Sequence, residues 1–264
     1  MEPGRDLSLP TLANFRDLGG YRTADGRTTT PGLVFRSRAL DVIDDGDLDT
    51  LTGLGIATVV DFRTGAERSA APDRLGSLMY ALELDVLRDS PDDAPAQLAA
   101  IETDPKAAVD LLGGGRGVSL FEQGYREFIT LSSAHEAYGR FFRAILEEPT
   151  TPLLFHCTNG KDRTGWAAAA VLLLCGVAQR DVEDDFLLTN RDLLPSLAPV
   201  FERFTVAGGD PALLRIALGV DVAYLRASID EMTSTFGSIA GYFDAALGID
   251  RATQAEIVAA LLRG

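Results

Sequence analysis

One segment constrains the fold more than any other: a short loop that joins an apolar strand to an apolar helix. Residues 152–156 have the composition of a buried strand, and residues 164–178 are apolar on all sides, as in a helix packed inside a sheet protein. Between them stands His-Cys-Thr-Asn-Gly-Lys-Asp-Arg-Thr-Gly, residues 156–165. Such a junction directs backbone N–H groups and the positive end of the helix dipole into one space. The sequence therefore predicts an oxyanion-binding loop here.

The loop also carries the residues of a nucleophilic site. Cys157 lies at its base, where the same field that binds an anion would stabilise a thiolate, the reactive form of cysteine. Arg163, six residues on, can present a planar fork of donors to two phosphate oxygens. Gly160 permits close approach of the backbone. Cys175 lies among leucines in the apolar helix, where core packing is the expected role.

The rest of the pattern alternates strands with helices and ends in a helical tail. It predicts one α/β domain over residues 1–264, with a central, mostly parallel sheet of four or five strands flanked by helices. The expected elements are strands at 32–36, 56–61, 80–86 (half-buried) and 152–156, a helix between the first two, an excursion with one short helix at 88–116, a helical stretch at 119–148 and helices from 181 onward.

Cys-x5-Arg-Thr-Gly after an apolar strand and a His resembles the protein-tyrosine phosphatase superfamily. The longer string His-Cys-x-x-Gly-Lys-Asp-Arg-Thr-Gly is similar to its bacterial tyrosine and phosphoinositide phosphatase branch. Further matches are Asn-Phe-Arg-Asp-Leu-Gly-Gly-Tyr at residues 14–21, Phe-Arg-Ser at 35–37 and Val-Asp-Phe-Arg at 60–63, followed by Glu67. The matching motifs cover roughly residues 14–165. The resemblance implies a phosphotyrosine-phosphatase-like fold with a mobile helical lid, which we expect at about 190–225.

By that resemblance, Cys157 attacks phosphorus to give a phosphocysteine that water then hydrolyses, with no cofactor and no metal. Phosphotyrosine is the first substrate implied, with phosphoserine, phosphothreonine and phosphoinositides behind it, and inorganic phosphate is the product. Two aspartates compete for the general acid: Asp162 inside the loop, slightly favoured, and Asp61 at the end of a neighbouring strand. Lys161 goes with acceptance of phosphoinositides in this branch. The expected phosphate-binding residues are Thr158, Asn159, Gly160, Lys161, Asp162 and Arg163, supported by His156, which orients the loop, and Thr164.

Three further arginines, Arg16, Arg36 and Arg63, allow two interpretations. They could form salt bridges that tie the N-terminal segment to Asp61 or Glu67, or they could support the phosphate-binding loop from outside.

The net charge and the number of cysteines limit which binding partners and which cellular location are expected. The 264 residues carry 24 Lys and Arg against 39 Asp and Glu, a net charge of −15, which argues against nucleic acid as a partner. Two cysteines cannot staple a secreted fold, so a cytoplasmic location is expected, although export without a cleavable signal stays open. No signal peptide and no apolar run long enough to span a membrane is apparent. The oligomeric state is left open.

Two other functions compete with a phosphatase. A non-catalytic phosphoprotein- or phosphoinositide-binding module would use the same loop, but it has no need of Cys157, Asp162 and Arg163 together. A sulfurtransferase shares the strand, cysteine loop and helix, yet the continuation Gly-Lys-Asp-Arg-Thr-Gly favours phosphate.

Overall fold

A five-stranded sheet forms the centre of the computed structural model, which describes residues 3, 4, 7, 9–91, 94–147 and 152–264. The strand order is β1-β3-β6-β4-β5. Only β1 runs antiparallel to its neighbour, β3, and the other pairs are parallel, which confirms the predicted mostly parallel sheet. The strands are β1 Arg16–Asp17, β3 Val34–Ser37, β4 Thr58–Asp61, β5 Tyr80–Glu83 and β6 Leu153–His156.

Both faces of the sheet are covered, as a parallel sheet requires. Neighbouring residues of β4 and β6 alternate between two apolar clusters: Val60 and Phe155 face the larger one, while Val59 and Leu154 face the smaller one. The larger cluster contains the central helix, whose buried Trp166 packs edge-on against Tyr242. That helix, α7 (Arg163–Leu174), follows the loop of residues 157–162, so this loop lies between the central strand β6 and a largely buried helix.

Helices account for most of the remaining chain. Their bounds are α1 Asp45–Gly53, α2 Gly65–Ala70, α3 Ala94–Thr103, α4 Pro105–Leu112, α5 Arg116–Thr130, α6 Ser132–Glu147, α7 Arg163–Leu174, α8 Gln179–Asp192, a 3₁₀ helix Leu194–Leu197, α9 Ala198–Val206, α10 Pro211–Leu218, α11 Val222–Phe236, α12 Ile239–Ala245 and α13 Arg251–Leu261. None of the helices in the described ranges combines the length and the apolar character that crossing a bilayer requires.

Three local expectations need correction. Residues 88–116 contain two helices, α3 and α4, rather than one, because Ile101, Ala108 and Leu112 pack into a third apolar cluster with α9 and α10. The stretch 119–148 is two helices separated at Leu131, whose backbone is extended at φ −68° and ψ 136°; residue 148 lies outside the described residues. Strand β5 exists, but three of its four residues are exposed, since it is the sheet edge.

A second, two-stranded sheet was not predicted. It pairs β2 Thr28–Thr29 with β7 Leu262–Arg263 in antiparallel register. The pairing joins the end of the helical tail to the segment between β1 and β3.

Candidate active site

Cys157 follows β6 directly and is a free, buried thiol. His156, the last residue of β6, lies in register with Ser37 of β3 and Asp61 of β4, so the loop begins at the carboxyl edge of three parallel strands. This edge is where parallel sheets place their ligand sites. Cys157 is among the residues that line a cavity of about 380 Å³.

The carbonyl groups of the loop are held from outside. The N–H of Ala39 donates to the carbonyl of Thr158 at 3.0 Å. The side-chain amide of Asn14 donates to the carbonyl of Gly160 at 2.8 Å, and Arg36 donates to the same oxygen at 2.8 Å. Three donors from the N-terminal part of the chain thus turn the loop's carbonyl dipoles away from the cavity.

The amide groups of the loop are left available. Within the described part of the chain, the backbone N–H groups of residues 158–162 donate to no protein acceptor. In a trans peptide, the carbonyl oxygen and the following N–H point in opposite directions, so outward carbonyls leave the N–H groups facing inward. Gly160 makes this loop possible: its φ is +62°, and a Cβ there would lie 2.0 Å from the carbonyl oxygen of Ser37. N–H groups arranged in this way are able to bind an anion.

Arg163, the first residue of α7, is held in place by an ion pair with Glu67. Its two terminal nitrogens donate to the two carboxylate oxygens at 2.7 Å each, and one also donates to the carbonyl of Phe62 at 3.3 Å. Glu67 also accepts from the hydroxyl of Thr158 and from the backbone N–H of Thr64 at 2.9 Å. Burial alone would raise the pKa of Glu67, but the hydrogen bonds and charge of Arg163 lower it to about 2. Arg163 and Glu67 therefore form a fixed ion pair.

The two candidate acids occupy different surroundings. Asp162 lines the cavity, and one oxygen, Oδ1, accepts from the hydroxyl of Tyr125 at 2.9 Å and from Nζ of Lys161 at 3.0 Å. Burial, together with the charge and hydrogen bond of Asp162, holds the pKa of Tyr125 well above its usual value, so its hydroxyl remains a donor. Asp61 is buried and is not among the residues lining the cavity. Its side chain accepts from Arg63 at 2.8 Å.

Lys161 is buried and does not line the cavity. Besides Asp162, its ammonium group contacts the carbonyl of Gly219 at 3.2 Å and lies 4.8 Å from the ring centroid of Phe121. The side chain therefore links the loop to α5 and to the end of α10.

A buried ionic group lies behind Cys157. His156 contacts the carbonyl of Cys157 through Nδ1 at 3.0 Å and the carboxylate of Asp73 through Nε2 at 3.0 Å. Ligand atoms of Asp61, Asp73 and His156 lie within 4.8 Å of one another, a spacing that could suit a metal ion. However, one guanidinium nitrogen of Arg63 already lies 2.8 Å from Asp61 and 2.9 Å from Asp73. These residues therefore form an ion-pair network that holds the carboxyl ends of β4 and β6.

The three arginines divide between the two interpretations. Arg63 pairs with Asp61, as one of them expects, and Arg36 supports the loop directly through Gly160, as the other expects. Arg16 pairs with Asp192 at 3.2 Å and with Asp185 at 3.7 Å, both on α8, and it reaches the loop indirectly, by donating to the side-chain oxygen of Asn14. The partner of Glu67 is Arg163 and not an N-terminal arginine.

Thr164 is buried, and its hydroxyl has no hydrogen-bond partner among the described residues. Cys175 is buried as expected, and burial raises the pKa of its thiol to about 12.

The outer wall of the cavity comes from α3 and α5. Its apolar lining includes Leu98 and Ile101 of α3 and Leu120, Phe121 and Phe128 of α5. No residue of 190–225 lines the cavity. Most of the buried apolar side chains between 193 and 218 pack with α3 and α4, whereas Tyr224 stacks on Phe121 of α5. The lid expected at 190–225 stays a prediction, while α3 and α5 are the helices at the site.

The sequence reasoning missed several residues that hold the site together. Asp73 and Asp185 gave no local signal, because they reach the site through tertiary contacts with His156, Arg16 and Arg36. Tyr125 lies in a stretch expected to be helical, but nothing in the sequence shows that it contacts Asp162.

A family model described as the tyrosine phosphatase family matches residues 7–263. The chain belongs to the tyrosine phosphatase family. A protein of Cupriavidus necator that carries a tyrosine-protein phosphatase name is 34% identical over 258 residues, which cover 93% of this chain and 85% of the relative. The triple specificity protein phosphatase PtpB of Mycobacterium tuberculosis is 32% identical over 273 residues, covering 93% and 95%. The crystal structure of P. aeruginosa TpbA aligns over 73% of this chain and 89% of that chain at 17% identity, with a TM-score of 0.33.

The family match extends beyond residues 14–165, where the motifs lie, and includes the helical tail. The chain is therefore a protein-tyrosine phosphatase of the cysteine type, and the expected α/β phosphatase fold is confirmed.

Proposed function

We propose that this phosphatase hydrolyses phosphotyrosine through a phosphocysteine formed on Cys157, with Asp162 as general acid. The observation that carries the proposal is the loop itself. Its carbonyls are held outward, its N–H groups at 158–162 have no protein acceptor among the described residues, and both Cys157 and Arg163 line the same cavity. A phosphate dianion fits such a set of donors, and it would bring phosphorus close to the nucleophile.

In the first step, the Sγ thiolate of Cys157 forms a bond to phosphorus while the bond from phosphorus to the phenolic oxygen breaks. The departing oxygen keeps that electron pair and takes a proton from the carboxyl group of Asp162. Arg163 and the loop N–H groups stabilise the charge on the three equatorial oxygens in the transition state. Glu67 is a positioning residue here, because it fixes the guanidinium plane through two hydrogen bonds of 2.7 Å.

In the second step, water attacks the phosphocysteine. The S–P bond breaks, its electrons return to sulfur as thiolate, and the proton of the attacking water goes to the Asp162 carboxylate. Inorganic phosphate leaves, and the acid is again protonated for the next cycle. No part of this sequence requires a metal or a cofactor.

Asp162 is preferred to Asp61 on its surroundings. Both hydrogen bonds to Asp162 enter Oδ1, so Oδ2 is the oxygen that can carry the proton toward a substrate in the cavity. Asp61 accepts from the backbone and side chain of Arg63, and its role is to anchor the strand end. His156 and Arg63 support the loop from behind, and Arg36 supports it through Gly160.

The substrate proposed first is an aryl phosphate on a protein. A cavity with Leu98, Ile101, Phe121 and Phe128 in its wall suits a phenyl ring and adjacent apolar groups. Phosphoserine, phosphothreonine and phosphoinositides rank behind it, since Lys161, the residue expected to favour phosphoinositides, is engaged with Asp162 and Gly219. A cytoplasmic site of action remains part of the proposal.

The test is initial-rate hydrolysis of p-nitrophenyl phosphate and of a phosphotyrosine peptide in EDTA, with Cys157→Ser as the matched variant. We expect turnover that survives EDTA and is lost in Cys157→Ser, together with a burst of p-nitrophenol under pre-steady-state conditions. Turnover by Cys157→Ser at the wild-type rate would rule out the covalent mechanism. No turnover by fresh, reduced enzyme on either substrate would favour a binding module.

A further inference from the structure

Asn14 has a backbone conformation that stands out in the chain. Among the described residues it is the one non-glycine with a positive φ, at 60°. This left-handed region is uncommon for residues with a side chain, although asparagine tolerates it better than most. Asn14 is also buried, with 2% of its surface exposed. A conformation of this kind persists where the surrounding structure holds it, and such positions cluster at functional sites.

The side chain of Asn14 spans two carbonyls of the catalytic loop. Its amide nitrogen donates to the carbonyl of Gly160 at 2.8 Å and to that of Asn159 at 3.3 Å. Its oxygen accepts from Arg16, which in turn pairs with Asp192 at 3.2 Å. Because the amide oxygen already has a donor, the orientation of the whole amide group is fixed. Both of its hydrogens are then directed at the loop.

These two carbonyls control two N–H groups of the anion site. The peptide that carries the Asn159 oxygen also carries the N–H of Gly160, and the peptide that carries the Gly160 oxygen carries the N–H of Lys161. Each N–H points opposite to its oxygen. Peptides beside glycine rotate easily, since glycine lacks the Cβ that restricts φ and ψ. Without an external donor, either carbonyl could turn inward and present its negative end to phosphate.

We propose that Asn14 is a positioning residue that keeps the amide groups of the phosphate loop directed at the substrate. This assigns a role to the Asn-Phe-Arg-Asp motif at residues 14–17, of which Asn14 makes the contact and Arg16 holds the amide. The inference deepens the proposed function and rests on it. Arg36 shares the task at Gly160, but within the described residues no second side chain donates to Asn159.

The experiment uses the full-length enzyme with two substitutions. Asn14→Gly keeps the left-handed backbone without strain and removes both donors. Asn14→Asp keeps the shape but replaces the donor with a carboxylate oxygen facing the two carbonyls. The matched control is Gln254→Glu, because Gln254 is also buried and its amide also donates to two backbone carbonyls, those of Ala240 at 3.0 Å and Ile249 at 2.8 Å, neither of which belongs to the loop. For each variant we would measure the Ki of inorganic phosphate against p-nitrophenyl phosphate, kcat, KM and the free energy of unfolding in urea.

We expect both Asn14 variants to raise the Ki of phosphate and the KM by about tenfold or more, and to lower kcat/KM by a larger factor, since the N–H groups act most strongly on the transition state. Gln254→Glu should leave Ki and KM within twofold of wild type. A purely structural role would lower the amount of active enzyme, and thus the apparent kcat, without changing Ki.

Wild-type Ki in either folded Asn14 variant would overturn the inference whatever happens to stability. If one variant fails to fold, the other decides the question. Should the wild-type enzyme neither bind phosphate nor turn over substrate, the proposed function itself would fail, which is a distinct result.

Discussion

The ion pair between Glu67 and Arg163 gives a prediction for both stability and activity when Glu67 is changed to Gln. Glutamine has nearly the same shape and can still accept a hydrogen bond, but it carries no charge. Arg163 would then be a buried guanidinium without its carboxylate, at the position where the phosphate should bind. We expect the variant to be less stable and to have a lower kcat, because the guanidinium loses its fixed orientation.

The pKa of Glu67 sets the size of the effect. It is lowered from 4.5 to about 2 in the folded protein, against the effect of burial and chiefly through Arg163. Since each pKa unit corresponds to about 1.36 kcal/mol, the charged form contributes roughly 3 kcal/mol to the free energy of unfolding. A lowered pKa stabilises the fold above the unfolded value, so this contribution is fully present above about pH 5. It is lost as the pH falls from about 4.5 through about 2.

Urea unfolding at a series of pH values, followed by the fluorescence of Trp166, the single tryptophan, would measure this contribution. The difference in unfolding free energy between wild type and Glu67→Gln should be roughly 3 kcal/mol at pH 7 and should shrink steadily below pH 4.5. Glu122→Gln is the control, because Glu122 makes only a part-exposed pair with Arg126 at 3.9 Å, worth at most about 1 kcal/mol. Parallel pH profiles for wild type and Glu67→Gln would refute the argument.

Three further predictions concern the acid and the thiols. Asp162→Asn should slow hydrolysis of substrates with an alkyl or poor aryl leaving group by about 10²–10⁴-fold and that of p-nitrophenyl phosphate much less. Asp61→Asn should lower stability without this dependence on the leaving group. If the dependence appears in Asp61→Asn and not in Asp162→Asn, Asp61 is the general acid. Tyr125→Phe removes a hydrogen bond that positions Asp162 in the cavity, so kcat should fall several-fold while the Ki of inorganic phosphate changes little, and an unchanged kcat would contradict the contact's role. Iodoacetamide at neutral pH should inactivate the enzyme by labelling Cys157. Cys175 should react only after unfolding, because burial raises the pKa of its thiol to about 12. Mass spectrometry of the modified peptides would identify the labelled residue, and labelling of Cys175 in the folded enzyme would contradict the prediction.

The elements that depend mainly on local sequence were predicted correctly. The strand ending at His156, the loop and the helix from Arg163 each have a composition that allows one structure, and together they place Cys157 at a sheet edge. The mostly parallel sheet followed from the alternation of strands and helices. The helix expected between the first two strands is α1, and Asp44 caps it by accepting a hydrogen bond from the N–H of Asp47.

The parts that depend on distant partners were not predicted. Residues 88–116 are rich in Asp, Pro, Ala and Gly, which suggested an excursion with one helix. Their helices depend on packing of Ile101 and Leu112 against α9 and α10, which no local pattern reveals. In the same way, the sequence identified Lys161 as a charge near the phosphate, but not that Phe121 and Gly219 would hold it inside the protein.

The contact between Asn14 and Gly160 also bears on when, during synthesis and folding, the chain becomes able to bind phosphate. The two residues are 146 positions apart, so at roughly 5–20 residues per second the ribosome makes the first on the order of ten seconds before the second. Contacts of such long range form late in folding, because their loop-closure entropy must be overcome first. We therefore expect oxyanion binding to appear only when the chain has reached its native topology. A chain that contains Cys157 but has not yet brought Asn14 to Gly160 would lack the oriented amides, so we expect such a chain to be inactive.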